Sequence, residues 1–407
     1  MKKVFLGIVF CLALLSLPAV AQEAKKPIKI GYINAQTNGS YFTYPSGHGI
    51  KLAIEEINAK GGVLGRPLEL FSRDSKMDPA EAVRLAEELV SRDKVDALLM
   101  ADSSGPTVAV AEWVQKNHVP LVSTTGGSDN IIWKNGSDYV VRTNFGGYPV
   151  DSGVIKKAID VYGDKLKNKR WALVAQNFEI GRLHAQMIKK VVKEQKLNAN
   201  WVGEQWPAYN KLVAGPVIAA LEQDKPDVIF SVLVGSDLVK FVREARKRGF
   251  IKDRIFIFPY LSMPEHYKMI GKEVPKGWLT MGAPYNEQAL KKPVLAAFMK
   301  RYEAAYHEPI KDYSISGYNG VKVLAAAMTK AGSTDPKKVA AAFDDLRFAT
   351  PLGEETIRKI DHQATTAFWV GLSDFIDGKP SIRNWTEYNV NDNLPPDAYI
   401  LKIRNKK

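Results

Sequence analysis

Short apolar runs alternate with helix-period stripes along almost the whole chain. Residues 28–33 (IKIGYI) form the first run. The next stripe places Ile50, Ala53, Ile54 and Ile57 on one face at i, i+3, i+4 and i+7, and ends on Gly61-Gly62. A strand is expected at 68–72, and a helix at 80–92 with Ala82, Leu85, Ala86, Leu89 and Val90 facing inward. Strands at 95–100, 119–123 and 139–142 follow, with a helix across 108–116. The strand runs are apolar on both faces, as in a parallel sheet covered on both sides.

The pattern then restarts. Strands at 171–175, 200–205, 228–233 and 255–258 alternate with helices at 181–194, 212–221 and 238–248. Two βαβ arrays in succession predict two doubly wound α/β lobes. The tail differs, with helices at 293–305, 317–331 and 336–343 and strands at 356–361 and 366–372. Such late strands imply a return to a sheet already built. No Gly-, Ser- or Pro-rich linker separates the arrays, so short, multiple crossings are expected.

A length of 407 residues suits two domains, and 45% hydrophobic with 25% charged residues suits a soluble globular chain. Residues 1–21 fit a secretory signal: Lys2-Lys3, an apolar run over 4–17, and Ala19-Val20-Ala21 as a cleavage site. The only cysteine, Cys11, lies inside it, so a mature chain has neither a disulfide nor a thiol nucleophile. Cys11 follows Val9 and Phe10, which is unlike a lipid-anchor site. The net charge of +13 comes from scattered lysines, the surface of a solvated protein and not of a nucleic-acid binder.

Enzyme motifs are missing. The six histidines show no metal-ligand spacing, and there is no nucleophile elbow and no phosphate-binding loop. No catalytic residue, metal or cofactor is expected. Two strand-to-helix loops do carry a signal. Asp102-Ser103-Ser104-Gly105-Pro106-Thr107 offers hydroxyls and exposed N–H groups at a helix start, fit for a carboxylate or for an ordinary N-cap. Ser123-Thr124-Thr125-Gly126-Gly127-Ser128 follows the neighbouring strand, at the edge where open α/β sheets bind ligands. In the second array, Asp237 either caps its helix or faces the cleft. Tyr41, Phe42, Tyr44, Phe178, Trp206, Tyr209, Tyr260 and Tyr285 gather in loops able to line that cleft.

Residues 28–33 (IKIGYI), 47–65 (GHGIKLAIEEINAKGGVLG), 69–78 (ELFSRDSKMD), Asp102-Ser103-Ser104, 119–124 (VPLVST), 245–250 (ARKRGF) and 357–364 (IRKIDHQA) together resemble the branched-chain amino-acid (Leu/Ile/Val) type of ABC-transporter substrate-binding protein. The resemblance spans residues 28 to about 375. It implies the type 1 periplasmic binding fold, two doubly wound parallel-sheet lobes joined by a multi-crossing hinge, with the ligand in the cleft between them. It divides the chain into a first lobe of 28–145 plus 286–350 and a second of 146–285 plus 351–407. It implies a periplasmic, monomeric protein that closes on a hydrophobic amino acid and delivers it to a membrane permease. The rival ligands are an aromatic carboxylate or a small amide or urea compound, and the rival role is a ligand-sensing module.

By the same resemblance Ser104 holds the ligand carboxylate, and Thr125 and Gly127 hold both ends of the amino acid, with Thr125 or Ser128 supplying the hydroxyl that Gly127 lacks. Asp237 receives the ammonium, and Phe42, Phe178 and Tyr285 touch the side chain. Ser103, Tyr44, Trp206 and Tyr260 are the outer candidates. The chain departs from the family pattern at Gly127, where a threonine is usual, at Ile180, where tyrosine is frequent, and at Asp237, one methylene shorter than glutamate.

Overall fold

The computed structural model describes residues 25–404, so the signal segment and Cys11 lie outside the described residues. The first lobe runs β1 (Ile28–Asn34), α1 (Gln36–Ala59), β2 (Leu68–Asp74), α2 (Pro79–Ser91), β3 (Ala97–Ala101), α3 (Ser104–Asn117), β4 (Leu121–Ser123) and β5 (Val140–Arg142). Its five strands are parallel in the order β2-β1-β3-β4-β5. The second lobe runs α4 (Gly147–Tyr162), β6 (Arg170–Val174), α5 (Glu179–Glu194), β7 (Asn200–Gln205), α6 (Ala214–Asp224), β8 (Val228–Ser231), α7 (Gly235–Lys247), β9 (Ile255–Ile257), α8 (Pro264–Ile270) and β10 (Leu279–Met281).

The chain then goes back to the first lobe with α9 (Tyr285–Ala289), α10 (Pro293–Tyr306), α11 (Asp312–Ala331), α12 (Pro336–Ala342), β11 (Leu346–Thr350) and β12 (Gly353–Ile357). It ends in the second lobe with β13 (Ala367–Ile376), β14 (Lys379–Asn389) and α13 (Asp397–Arg404). The second sheet reads β14-β13-β10-β9-β8-β6-β7, and its two late strands are antiparallel. The expected return of a late segment to a finished sheet is thus made by β13.

The other late strand goes elsewhere. β12 pairs with β11, and Leu346, Phe348 and Ile357 bury against α11 and α12 in the first-lobe core. Alternating burial along β11 seats one face of the hairpin there. The expected boundary at 350/351 therefore cuts a hairpin, and the last crossing between lobes comes after Ala364. The remaining crossings follow β5 and β10.

The helix over 50–57 starts earlier than its apolar stripe, because α1 reaches back through a kink at Thr37 and Asn38. Its register against α11 depends on small residues. A Cβ on Gly49 would sit 1.9 Å from the Ser314 carbonyl oxygen, and one on Gly317 would sit 2.1 Å from that of Ser46. The backbones of α1 and α11 touch only because both positions are glycine. Long α4, with no forecast from the pattern, is buried along most of its length, so its polarity does not alternate.

Candidate functional site

The cleft between the lobes holds about 650 Å³ of non-atom space, part of it open to solvent. On the first-lobe side it is lined by Tyr41 and Phe42 of α1, Met77, Asp102, Ser103 and Ser104 before and at the start of α3, and Thr125 and Gly127 after β4. Asn144 and Phe145 line it at the crossing, and Tyr313 at the start of α11. Across from them stand Phe178 and Ile180 at the start of α5, Tyr209, Val232, Val234 before α7, Tyr260 and Met263.

Each polar wall residue has a defined state. Ser104 Oγ accepts the Ser128 N–H at 3.1 Å, which leaves its own hydrogen to donate. Ser103 is the N-cap of α3, yet its side chain makes no capping bond, so the helix amino end is uncovered at the cleft. Thr125 Oγ1 donates to the Asp102 carbonyl at 2.8 Å and retains lone pairs to accept with. Asp102 is fully buried; Oδ1 takes the Ser103 N–H at 2.6 Å and Oδ2 is bonded by Ser75. Burial pushes its carboxyl up to about 6, against the pull of those donors.

Of the expected binding residues, Ser104, Thr125, Gly127, Phe42, Phe178, Ser103 and Tyr260 lie on the cleft wall. Ser128 stands one layer behind: its N–H supports Ser104, and its hydroxyl donates to Glu179 Oε1 at 2.8 Å. Asp237 is not on the wall. It is fully buried, and accepts from Gln176 Nε2 at 2.7 Å and from the Leu212 N–H at 3.1 Å, with Lys240 at 3.5 Å. Its carboxylate ties α7 to two loops of the same lobe.

Three aromatic candidates are placed elsewhere too. Tyr44 donates to Glu308 at 3.2 Å, under Lys311. Trp206 donates to Glu204 at 3.0 Å and stacks under Arg182. Tyr285 packs beside Trp369 and reaches the Asp312 carbonyl. Each ring is engaged by a charged or aromatic neighbour that lies far off in sequence or carries no periodic signal. The reverse omission is Asn144, Phe145, Tyr313, Met77, Val232 and Met263. The crossing after β5 was the one signal able to find Phe145.

The lobes are in contact around the cleft. Glu179 receives Ser128 and Asn130 Nδ2 (2.9 Å) from the other lobe. Lys311 of the first lobe stands 3.9 Å from Glu265 of the second. The hinge is braced by fully buried Arg142. It donates to Gln363 Oε1 (2.6 Å), the Ser128 carbonyl (2.9 Å) and Asp129 Oδ1 (2.8 Å). Among the described residues no group of His, Cys, Asp and Glu is arranged to hold a metal ion, and no helix is long and apolar enough to cross a membrane.

Two α/β lobes with three crossings, closing on a ligand-sized cleft at the carboxyl edges of their sheets, define a solute-binding protein. The chain belongs to the periplasmic binding protein family, whose pattern it matches over residues 27–374. It is 25% identical over 342 residues to Leu/Ile/Val-binding protein homolog 7 of Brucella abortus, covering 82% of this chain and 84% of that one. It is 26% identical over 365 residues to an amino acid binding protein of Pseudomonas aeruginosa, covering 87% and 92%. Among solved structures, a leucine-binding protein of Thermotoga maritima superposes with a TM-score of 0.76 at 22% identity, over 90% of this chain and 99% of that one. A solute-binding protein of Rhodopseudomonas palustris BisB5, in complex with 3,4-dihydroxybenzoic acid, gives 0.76 at 20% identity, over 90% and 98%.

Proposed function

We propose that this protein binds a small aromatic carboxylate between its lobes and delivers it, in the closed form, to the permease of an ABC importer in the cell envelope. The observation that carries this reading is the makeup of the cleft wall. Its single charged side chain, Asp102, is buried with both oxygens bonded, and Asp237 lies off the wall, so the acceptors left facing the cleft are neutral, a poor match for an ammonium. The amino ends of α3, α5, α7 and α11 all contribute wall residues, which favours an anion. Rings of Phe42, Phe145, Phe178 and Tyr313 suit a flat apolar body. The resemblance to proteins holding dihydroxybenzoate supports the same class. A hydrophobic amino acid is the second reading, supported by the Leu/Ile/Val-binding relatives.

Calorimetry on protein stripped of ligand, with benzoate, benzamide, L-leucine and L-phenylalanine, tests the choice. Benzoate is expected to bind at least about tenfold tighter than the other three: benzamide lacks the charge-assisted hydrogen bond, and the amino acids bury an ammonium without a charged partner. Ser104→Ala should weaken benzoate by about ten- to a hundredfold on the same grounds. Tighter binding of leucine or phenylalanine than of benzoate rejects the aromatic-acid reading.

A further inference from the structure

Tyr260 follows β9 in the loop leading to α8, and two histidines hold it. The Gly235 N–H donates to His266 Nε2 at 2.7 Å, so His266 carries its proton on Nδ1 and donates it to the Tyr260 carbonyl at 2.6 Å. Burial lowers His266 to about 4, which keeps that neutral form. At the other end, the Tyr260 hydroxyl is 2.8 Å from His184 Nε2, and His184 Nδ1 is 2.7 Å from Asp151 Oδ1. His184 and Asp151 are both fully buried.

The proton count of the His184–Asp151 pair sets the direction of the tyrosine hydrogen. The pair is net neutral either as acid plus imidazole or as carboxylate plus imidazolium. In both forms His184 Nε2 bears hydrogen and donates to the Tyr260 oxygen, so the tyrosine must donate its own hydrogen elsewhere. Without that proton the pair carries a net negative charge, Nε2 becomes an acceptor, and Tyr260 donates to it. Full burial disfavours the negative form. Asp151 Oδ2 has no hydrogen-bond partner, a state less costly for a neutral acid than for a carboxylate. Burial pushes Asp151 up to about 6, with His184 pulling the other way and Asp129 adding to the rise.

The Tyr260 hydroxyl stands on the cleft wall, near the Gly127 loop of the first lobe. The Tyr260 hydroxyl lies 4.0 Å from the place a Cβ on Gly127 would occupy, beside Ser128, whose N–H supports Ser104. We infer that Tyr260 is the second lobe's hydrogen-bond donor to the ligand carboxylate, positioned by the proton held between His184 and Asp151. The inference rests on the carboxylate reading above. Such a donor is met only when the lobes close on the anion, so it gives the ligand a differential hold on the closed form.

Carboxylate binding then takes up the pair's proton, and affinity falls as pH rises through its titration. The other charged or titratable groups facing the network are Asp129 and Arg142, paired at 2.8 Å, and Tyr313 of α11. Burial raises Tyr313 far above this range, so it stays neutral. Asp102 titrates on the opposite wall and is common to all variants below.

The test uses benzoate, an anion throughout the range, in calorimetry at about pH 6 and about pH 8.5. Native protein should lose at least about fivefold in affinity between the two. Tyr260→Phe should bind about tenfold more weakly at the lower pH and keep only the smaller pH dependence that Asp102 supplies. His184→Gln, whose amide N–H replaces the Nε2 donor at any pH, should keep the low-pH affinity and fall back to the same Asp102-limited pH dependence. Equal affinity in native protein and Tyr260→Phe, or an unchanged pH profile in His184→Gln, overturns the inference alone. No benzoate binding by native protein overturns the carboxylate reading and this inference with it. Circular dichroism reports folding; if His184→Gln does not fold, the comparison of native protein with Tyr260→Phe decides.

Discussion

Removing the positive charge at the hinge should cost more than the hydrogen bonds it makes. Arg142 sits at the end of β5, where the chain first leaves the first lobe, and joins that crossing to the last one through Gln363. Gly146 makes room for it: a Cβ there would lie 1.9 Å from Asp129 Oδ1 and 2.2 Å from Arg142 Nη2. In Arg142→Met three side-chain hydrogen bonds vanish, and Asp129 keeps only the Tyr148 N–H at 2.7 Å among its described partners. A buried carboxylate left without its cation costs about 3–5 kcal/mol, beyond the ~1 kcal/mol of an ordinary lost hydrogen bond. Urea unfolding followed by circular dichroism near neutral pH reads the loss. The double variant Arg142→Met with Asp129→Leu removes the stranded charge and should recover at least half of it. A single-variant cost below about 1 kcal/mol, or a double variant no better than the single, refutes the reasoning.

Two further changes separate stability from binding. Glu355, buried with one unpartnered oxygen, is pushed by burial from 4.5 up to about 7. An acid raised in the folded state loses stability as pH climbs from its unfolded to its folded value, so Glu355→Gln should stabilise by roughly 2–3 kcal/mol near pH 8 and hardly at all near pH 4; an equal effect at both pH values contradicts this. Asp237→Asn keeps one acceptor for two donors and should cost about 1–2 kcal/mol in urea unfolding while changing benzoate affinity less than about threefold. A tenfold loss of affinity with unchanged stability would put Asp237 back in the cleft.

The periodic features of the chain foretold most of the first sheet. Each short apolar run of residues 28–142 became a parallel strand, and the serine loop after β3 opens onto the cleft. Deception came where one local pattern has two outcomes. An aspartate in the first turn of α7 is equally suited to a cleft or to a buried tie, and partners at Gln176 and Leu212, distant in sequence, decide it. The lobe of the 346–357 hairpin is hidden for a similar reason, since a strand's period says which face is buried but not in which lobe. The grip on Tyr260 had no local signature at all: Asp151, His184, Tyr260 and His266 come from α4, α5, a loop and α8. Each alone is an ordinary core or surface residue; only the fold puts them in one row.

The central claim is that the cleft holds an aromatic acid. The most direct measurement is the identity of the ligand that leaves the natively purified protein on gentle unfolding, read by mass spectrometry against the same protein refolded without ligand. A small aromatic carboxylate in near-stoichiometric amount is the expected result. A branched-chain or aromatic amino acid, or a neutral amide, released in that amount would contradict the account.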